Sequence, residues 1–132
     1  MVRETVSQPP TILVVEDEQD QRTILTLLLT RAGYNVLPAF GADDAIRKVR
    51  TQPVDLVLTD LAMPKVSGVE VVYAIKSDPC TKHIPVIVIT AYVWESLGRA
   101  ASQMRPDGFI SKPYKSAKLL EEVRLQLGPG RC

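Results

Sequence analysis

Apolar runs of strand length alternate along this chain with stretches of helical periodicity, and four of the runs end in a polar or charged residue. Thr11-Ile12-Leu13-Val14-Val15 runs into Glu16-Asp17, and Val54-Asp55-Leu56-Val57-Leu58-Thr59 into Asp60. Val86-Ile87-Val88-Ile89 ends at Thr90, and the short Phe109-Ile110-Ser111 at Lys112-Pro113. Runs this apolar suit strands buried on both faces, as in a parallel sheet covered by helices.

Between the runs the period changes. Ile24, Leu27 and Leu28 share one face of a first helix that stops near Gly33, a residue suited to the left-handed position after a helix. Ala42, Ala45, Ile46 and Val49 mark a second helix, and Gly68, Val71, Val72 and Ile75 a third. Ser67 with Glu70 forms a candidate capping box for the third. A weaker fourth helix is expected over Trp94 to Met104, and Leu120, Val123 and Leu127 mark a fifth. Strand-helix alternation of this kind implies an α/β fold with right-handed crossovers.

The runs also indicate strand order. The first, third and fourth are the most apolar and belong inside the sheet. Asn35 to Ala39 contains Pro38, which lacks a ladder donor and is tolerated at an edge; the fifth strand is short. The expected architecture is therefore flavodoxin-like: a (βα)5 three-layer sandwich around a parallel five-stranded sheet of order 2-1-3-4-5.

A chain of 132 residues suits one such domain. We expect a flexible lead-in over 1–10, a domain over 11–127 and a tail over 128–132, with no room for a second domain. Sixteen basic against fifteen acidic residues leave a net charge of +1, which gives no electrostatic case for direct nucleic-acid or membrane-surface binding. No stretch approaches the roughly 20 apolar residues that span a bilayer. Residues 1–10 lack the apolar core of a signal peptide, so a cytoplasmic location is expected. Cys80 and Cys132 stand in no metal-like spacing and read as reduced thiols. His83 reads as a loop residue without a ligand role.

In an open parallel sheet the carboxyl ends of the strands share one edge, where ligands bind. Glu16, Asp17, Asp60, Thr90 and Lys112 should meet there: three carboxylates, a hydroxyl and an ammonium. Close carboxylates repel and raise one another's pKa, and a divalent ion removes that conflict. Mg²⁺ (or Mn²⁺) suits a few carboxylate oxygens completed by water and phosphate. A carboxylate held there can attack phosphorus to give an aspartyl phosphate, with Lys112 and the metal stabilising the transferring group. Simpler readings exist for each residue alone. Asp60 could be a solvated loop aspartate, and Glu16-Asp17 could cap a helix. Thr90 alone is a strand residue, Phe109 alone is core, and Lys112 alone is a surface lysine.

The pattern as a whole resembles the receiver domain of the two-component response-regulator family, over roughly residues 11–127. The resemblance is carried by Glu16-Asp17, by Asp60-Leu61-Ala62-Met63-Pro64-Lys65-Val66-Ser67-Gly68, by Thr90-Ala91, and by Phe109 before Lys112-Pro113. It implies that Asp60 accepts a phosphoryl group from a histidine kinase or phosphotransfer protein. It implies that Asp17, Asp60 and the main-chain carbonyl of Ala62 bind Mg²⁺, with Glu16 acting mainly through water. Lys112 would contact the phosphate before a cis bond to Pro113, Ala91 would contact the phosphoryl group, and Thr90 with Phe109 would form the switch. The chain would catalyse only its own phosphotransfer and dephosphorylation. Its downstream target would be a protein, docking on the face of helix four, strand five and helix five.

Three places depart from the family's usual pattern: Ala62, the bulky Tyr92, and Arg105-Pro106 where Gly-Ala is common. Pro106 disfavours a helical conformation at Arg105. Trp94 could anchor a partner or be a half-buried helix residue. Two rival functions are weighed, and the second is rejected. One is a receiver-like interaction module that takes no phosphate, against which the set Asp60, Asp17, Thr90 and Lys112 argues. The other is a phosphatase of the haloacid dehalogenase type, which would need an acid-base aspartate where Ala62 stands.

Overall fold

A computed structural model of the chain describes residues 8–61, 68–91 and 105–128. The fourth helix expected at Trp94 to Met104, together with Ala62, Ser67, Tyr92 and Cys132, lies outside the described residues. Strands β1 (Thr11–Val15), β2 (Asn35–Ala39), β3 (Leu56–Asp60), β4 (Val86–Thr90) and β5 (Gly108–Ser111) form one sheet. Its order is β2-β1-β3-β4-β5 and every pairing is parallel. Helices α1 (Gln19–Arg31), α2 (Ala42–Thr51), α3 (Gly68–Ser77) and a C-terminal helix (Ser116–Leu127) cover it.

Two core layers follow from the period of two along each strand, which turns alternate side chains to opposite faces. Leu13, Val15, Val57, Val86 and Val88 lie in one layer with Ala42, Ala45 and Val49 of α2 and Val71, Val72 and Ile75 of α3. Ile12, Val14, Leu56, Leu58, Ile87, Ile89 and Ile110 lie in the other with α1 and the C-terminal helix. All five residues of β3 and of β4 are buried, as the apolar runs require. Pro38 lies on the edge strand β2 opposite Val14.

Three expectations change in detail. On α1 the buried residues are Leu25 and Leu29, while Ile24 and Leu27 are 49% and 53% exposed. Ile24, Leu25, Leu27, Leu28 and Leu29 spread over more than half of this helix's circumference, wider than one buried stripe, so its own pattern does not choose a face. The sheet does. On the C-terminal helix Leu119 joins Val123 and Leu127 in the core, and Leu120 is only partly buried. The third strand starts at Leu56 rather than Val54. Asp55 still pairs with β1 through its amide, which donates to Thr11 O at 2.8 Å, but its carboxylate also receives the Thr11 amide at 2.8 Å.

Helix α1 ends as expected, with Gly33 at φ +98° after the C-cap Ala32. Arg105, expected only to avoid the helical region, adopts φ +54°. That left-handed conformation costs a non-glycine residue about 1–2 kcal/mol. The segment it leads into is firmly held: the Asp107 amide donates to Val86 O, and its carboxylate receives the Val86 amide, both at 2.8 Å. Lys76 reaches the same carboxylate at 2.6 Å.

Gly68 opens α3 in close contact with the end of β3, and its amide donates to Leu61 O at 3.1 Å. A Cβ at Gly68 would lie 2.1 Å from the Asp60 carbonyl oxygen and 2.7 Å from the Leu61 Cα. Both are backbone atoms, so neither can rotate away. Gly68→Ala is therefore expected to destabilise the fold by about 2–3 kcal/mol, the cost of overpacking at a rigid site. Urea unfolding followed by circular dichroism checks this; an unchanged midpoint would show that α3 can shift outward freely.

Candidate functional site at the carboxyl edge of the sheet

Asp60 is the last residue of β3 and only 7% exposed, because β1 and β4 flank it and α3 begins against its backbone. Glu16 follows β1 and is 3% exposed. Its amide donates to Ala39 O at 3.1 Å, tying the end of β1 to the end of β2. Lys112 follows β5, and its amide donates to Thr90 O at 2.9 Å, so the end of β4 sets where the lysine starts. The Lys112 ammonium then lies 2.6 Å from Asp60 Oδ2 and 3.9 Å from Glu16 Oε1. The bond between Lys112 and Pro113 is cis, as the resemblance implied.

Burial of this group moves its titrations. Desolvation raises Glu16 to about 7, and the neighbouring Asp60 charge pushes the same way. The Glu18 amide, which donates to Glu16 Oε2 at 3.1 Å, and the Lys112 charge oppose that rise without cancelling it. Burial by itself would lower the Lys112 ammonium, but its hydrogen bond to Asp60 and the charges of Asp60 and Glu16 carry it above the ordinary lysine value. Burial also raises the half-buried Tyr114 hydroxyl beside them. One ammonium thus faces two buried carboxylates, leaving the pocket with excess negative charge.

The other expected residues take these positions. Thr90 is fully buried at the end of β4, opposite Ser111 of β5. Ala91 is exposed immediately beyond it. Phe109 on β5 is partly buried against the core layer of α2 and α3. Asp17 is half-buried in the turn after Glu16. Among the described residues no three His, Cys, Asp or Glu side chains are grouped closely enough to hold a metal ion. The structure therefore brings Glu16 and Asp60 together around Lys112 without closing a three-carboxylate cage. His83 and the unpaired Cys80 are exposed and belong to no such group.

The residue set fits a hard cation. Its donors are oxygens, its net charge is negative, and Mg²⁺ commonly keeps several waters beside one or two carboxylates. Sequence reading missed Arg22, whose Nη1 donates to Glu16 O at 2.8 Å. A residue six positions on carries no spacing signal for a contact that the first turn of α1 creates.

The sequence matches the response regulator receiver domain over residues 12–124. The chain belongs to that family. It is 30% identical over 120 residues to the polar-differentiation response regulator DivK of Brucella anthropi, a match covering 91% of this chain and 98% of DivK. It is 33% identical over 121 residues to hybrid signal transduction histidine kinase D of Dictyostelium discoideum, covering 92% of this chain but 8% of that much longer protein. The response regulator TrrA of Thermotoga maritima, solved in complex with Mg²⁺-BeF, superposes with a TM-score of 0.79 at 30% identity, covering 90% of this chain and 99% of that one. This is a receiver domain of two-component systems, a signalling domain rather than a classical enzyme. No helix among the described residues is long and apolar enough to cross a membrane.

The charge arrangement carries a test that is independent of function. Removing the ammonium strands two buried carboxylates. Lys112→Ala is expected to cost about 2 kcal/mol, below the ~3–5 typical of breaking a buried pair because the lysine side chain keeps 26% of its exposure. Adding Asp60→Ala should recover at least half of that loss, since the pair then disappears together. Urea melts in metal-free buffer measure the cycle, and strictly additive losses would mean that the contact carries no coupling energy.

Proposed function

We propose that this receiver domain, over residues 11–127, is a phosphorylation-dependent switch that takes a phosphoryl group on Asp60 from a phosphohistidine of a histidine kinase or phosphotransfer protein. The observation that carries this reading is the buried Asp60 carboxylate at the end of a central strand, held 2.6 Å from Lys112. A carboxylate so placed is oriented for in-line attack and shielded from bulk water on its strand side. As its oxygen bonds to phosphorus, the phosphorus–nitrogen bond of the donor breaks and the electron pair leaves with the imidazole. Water then attacks phosphorus, the bond between phosphorus and the Asp60 oxygen breaks with its electron pair leaving on the carboxylate, and inorganic phosphate is released. The chain catalyses these two steps on itself only.

Lys112 changes partner during transfer. It neutralises Asp60 beforehand and takes a phosphoryl oxygen afterwards, so its charge stays on the group that carries the negative charge. Asp17, Asp60 and the Ala62 carbonyl would hold Mg²⁺, or Mn²⁺, with Glu16 reaching it through water. Bound there, the cation offsets charge on the transferring phosphoryl oxygens. Ala91 contacts the phosphoryl group through its backbone. Thr90 and Phe109 convert its presence into shape: the hydroxyl turns to a phosphoryl oxygen, and the ring follows into the space vacated. The face of strand five, the C-terminal helix and the segment before them then meets a downstream protein, in the cytoplasm and without direct contact to nucleic acid. A module that takes no phosphate has less support, since Asp60 and Lys112 are already paired in the pocket.

Incubation with acetyl phosphate and measurement of intact mass tests the reading. Wild type should gain one phosphoryl group in Mg²⁺ and none in EDTA, and Asp60→Asn should gain none. Adduct formation that ignores either change would exclude Asp60 as the metal-dependent acceptor. Binding of beryllofluoride should shift amide resonances as far as residues 105–115; shifts confined to the turns after Asp17 and Asp60 would mean that phosphate is held without a switch.

A further inference from the structure

We propose that Arg22 is a positioning residue for the acidic pocket, acting through the Glu16 carbonyl and held in place by an exposed aromatic lid, Phe40. The proposal rests on the reading that Glu16-Asp17 and Asp60 take a divalent cation. The peptide between Glu16 and Asp17 is where β1 leaves the sheet, and its orientation decides where the Asp17 carboxylate sits. The amide side of Glu16 is fixed by Ala39 O at 3.1 Å. The carbonyl side receives Arg22 Nη1 at 2.8 Å, from one turn into α1. The start of that helix lacks the usual brace: its N-cap, Glu18, makes no side-chain capping bond. Arg22 ties the turn to the helix from inside.

The guanidinium is kept there by Phe40. The Phe40 ring lies 4.5 Å from Arg22 Cζ and 5.3 Å from Lys48 Nζ, so two cations flank one ring. Phe40 is 56% exposed, too much for a core residue, yet its amide is pinned by Asp44 Oδ2 at 3.2 Å. Asp44 in turn pairs with Lys48 at 3.2 Å. A planar guanidinium stacks flat on a ring while an edge nitrogen donates to a carbonyl; Lys48, over the same ring, makes its ring contact and its bond to Pro38 O from a single nitrogen. Arg22 makes the two contacts with separate parts of one flat group, its edge on the Glu16 carbonyl and its face on the ring. It also ties the loop after β2 to the acidic turn after β1.

Direct Mg²⁺ titration, followed by amide shifts of the full chain, tests this without phosphorylation. Arg22→Lys keeps the charge but loses the fork, and should weaken Mg²⁺ about tenfold, within the range for groups that orient metal ligands. Phe40→Ala removes only the exposed ring and should weaken it in the same direction but by less than Arg22→Lys, because the ring acts through Arg22. Both should speed hydrogen exchange of the Glu18 amide, which depends on the Glu16 carboxylate, while Leu125→Ala on the exposed face of the C-terminal helix changes neither. Phe40→Ala keeps the core intact and so serves even if Arg22→Lys folds poorly. Wild-type affinity in both variants would overturn the positioning role and leave the cation reading standing. No Mg²⁺ binding by wild type would overturn both.

Discussion

Two carboxylates buried at the end of a sheet repel each other, and a single lysine holds them there. Asp60 and Glu16 sit at the ends of neighbouring central strands, so parallel pairing of β1 with β3 brings them together whatever their charge. Lys112 reaches both from β5 across β4. Burial is the main reason that Glu16 is raised to about 7, and the Asp60 charge adds to the rise while the ammonium opposes it without cancelling it. A folded chain that maintains excess charge at a buried point is suited to a ligand that brings positive charge, or to a chemical step that redistributes it.

Backbone approach is the second constraint on the pocket. Gly68 starts α3 against the Asp60 and Leu61 main chain, and no side chain fits between them. The opposite end of the sheet is closed differently. There Asp55 and Asp107 accept strand amides that lack ladder partners, and Lys76 neutralises Asp107 while donating to Ile84 O at 2.8 Å. Charged residues at that end satisfy the backbone. Those at the carboxyl end face one another. Chemistry therefore concentrates on one edge, although both edges are rich in aspartate.

The outer surface of α1 illustrates how an apolar residue can be exposed without being idle. Phe40 covers Arg22 and Lys48 instead of joining the core, and Ile24 and Leu27 stand exposed on the adjoining helix. The contacts from Phe40 through Arg22 to the Glu16 carbonyl form a continuous path from the surface to the acidic turn. Each step is a direct contact, so a change in the ring's packing reaches the pocket through two interactions.

Strand positions, their order and the placement of Glu16, Asp60, Thr90 and Lys112 at the carboxyl ends of strands were legible in the chain because they rest on local patterns. A run such as Val86 to Thr90 is apolar throughout, and its length and terminal polar residue need no knowledge of neighbours. The motif around Asp60 and Gly68 added the family. The face of α1 was not legible, since Ile24, Leu25, Leu27, Leu28 and Leu29 allow several burial stripes of similar width. Only the sheet beneath selects Leu25 and Leu29. Nor could sequence separate two converging carboxylates from three, or find Arg22 on a carbonyl and a ring. Those outcomes depend on where a turn points and how far a side chain reaches. The periodic burial of apolar groups determines the architecture; distances of a few ångströms, which no sequence period encodes, determine the site.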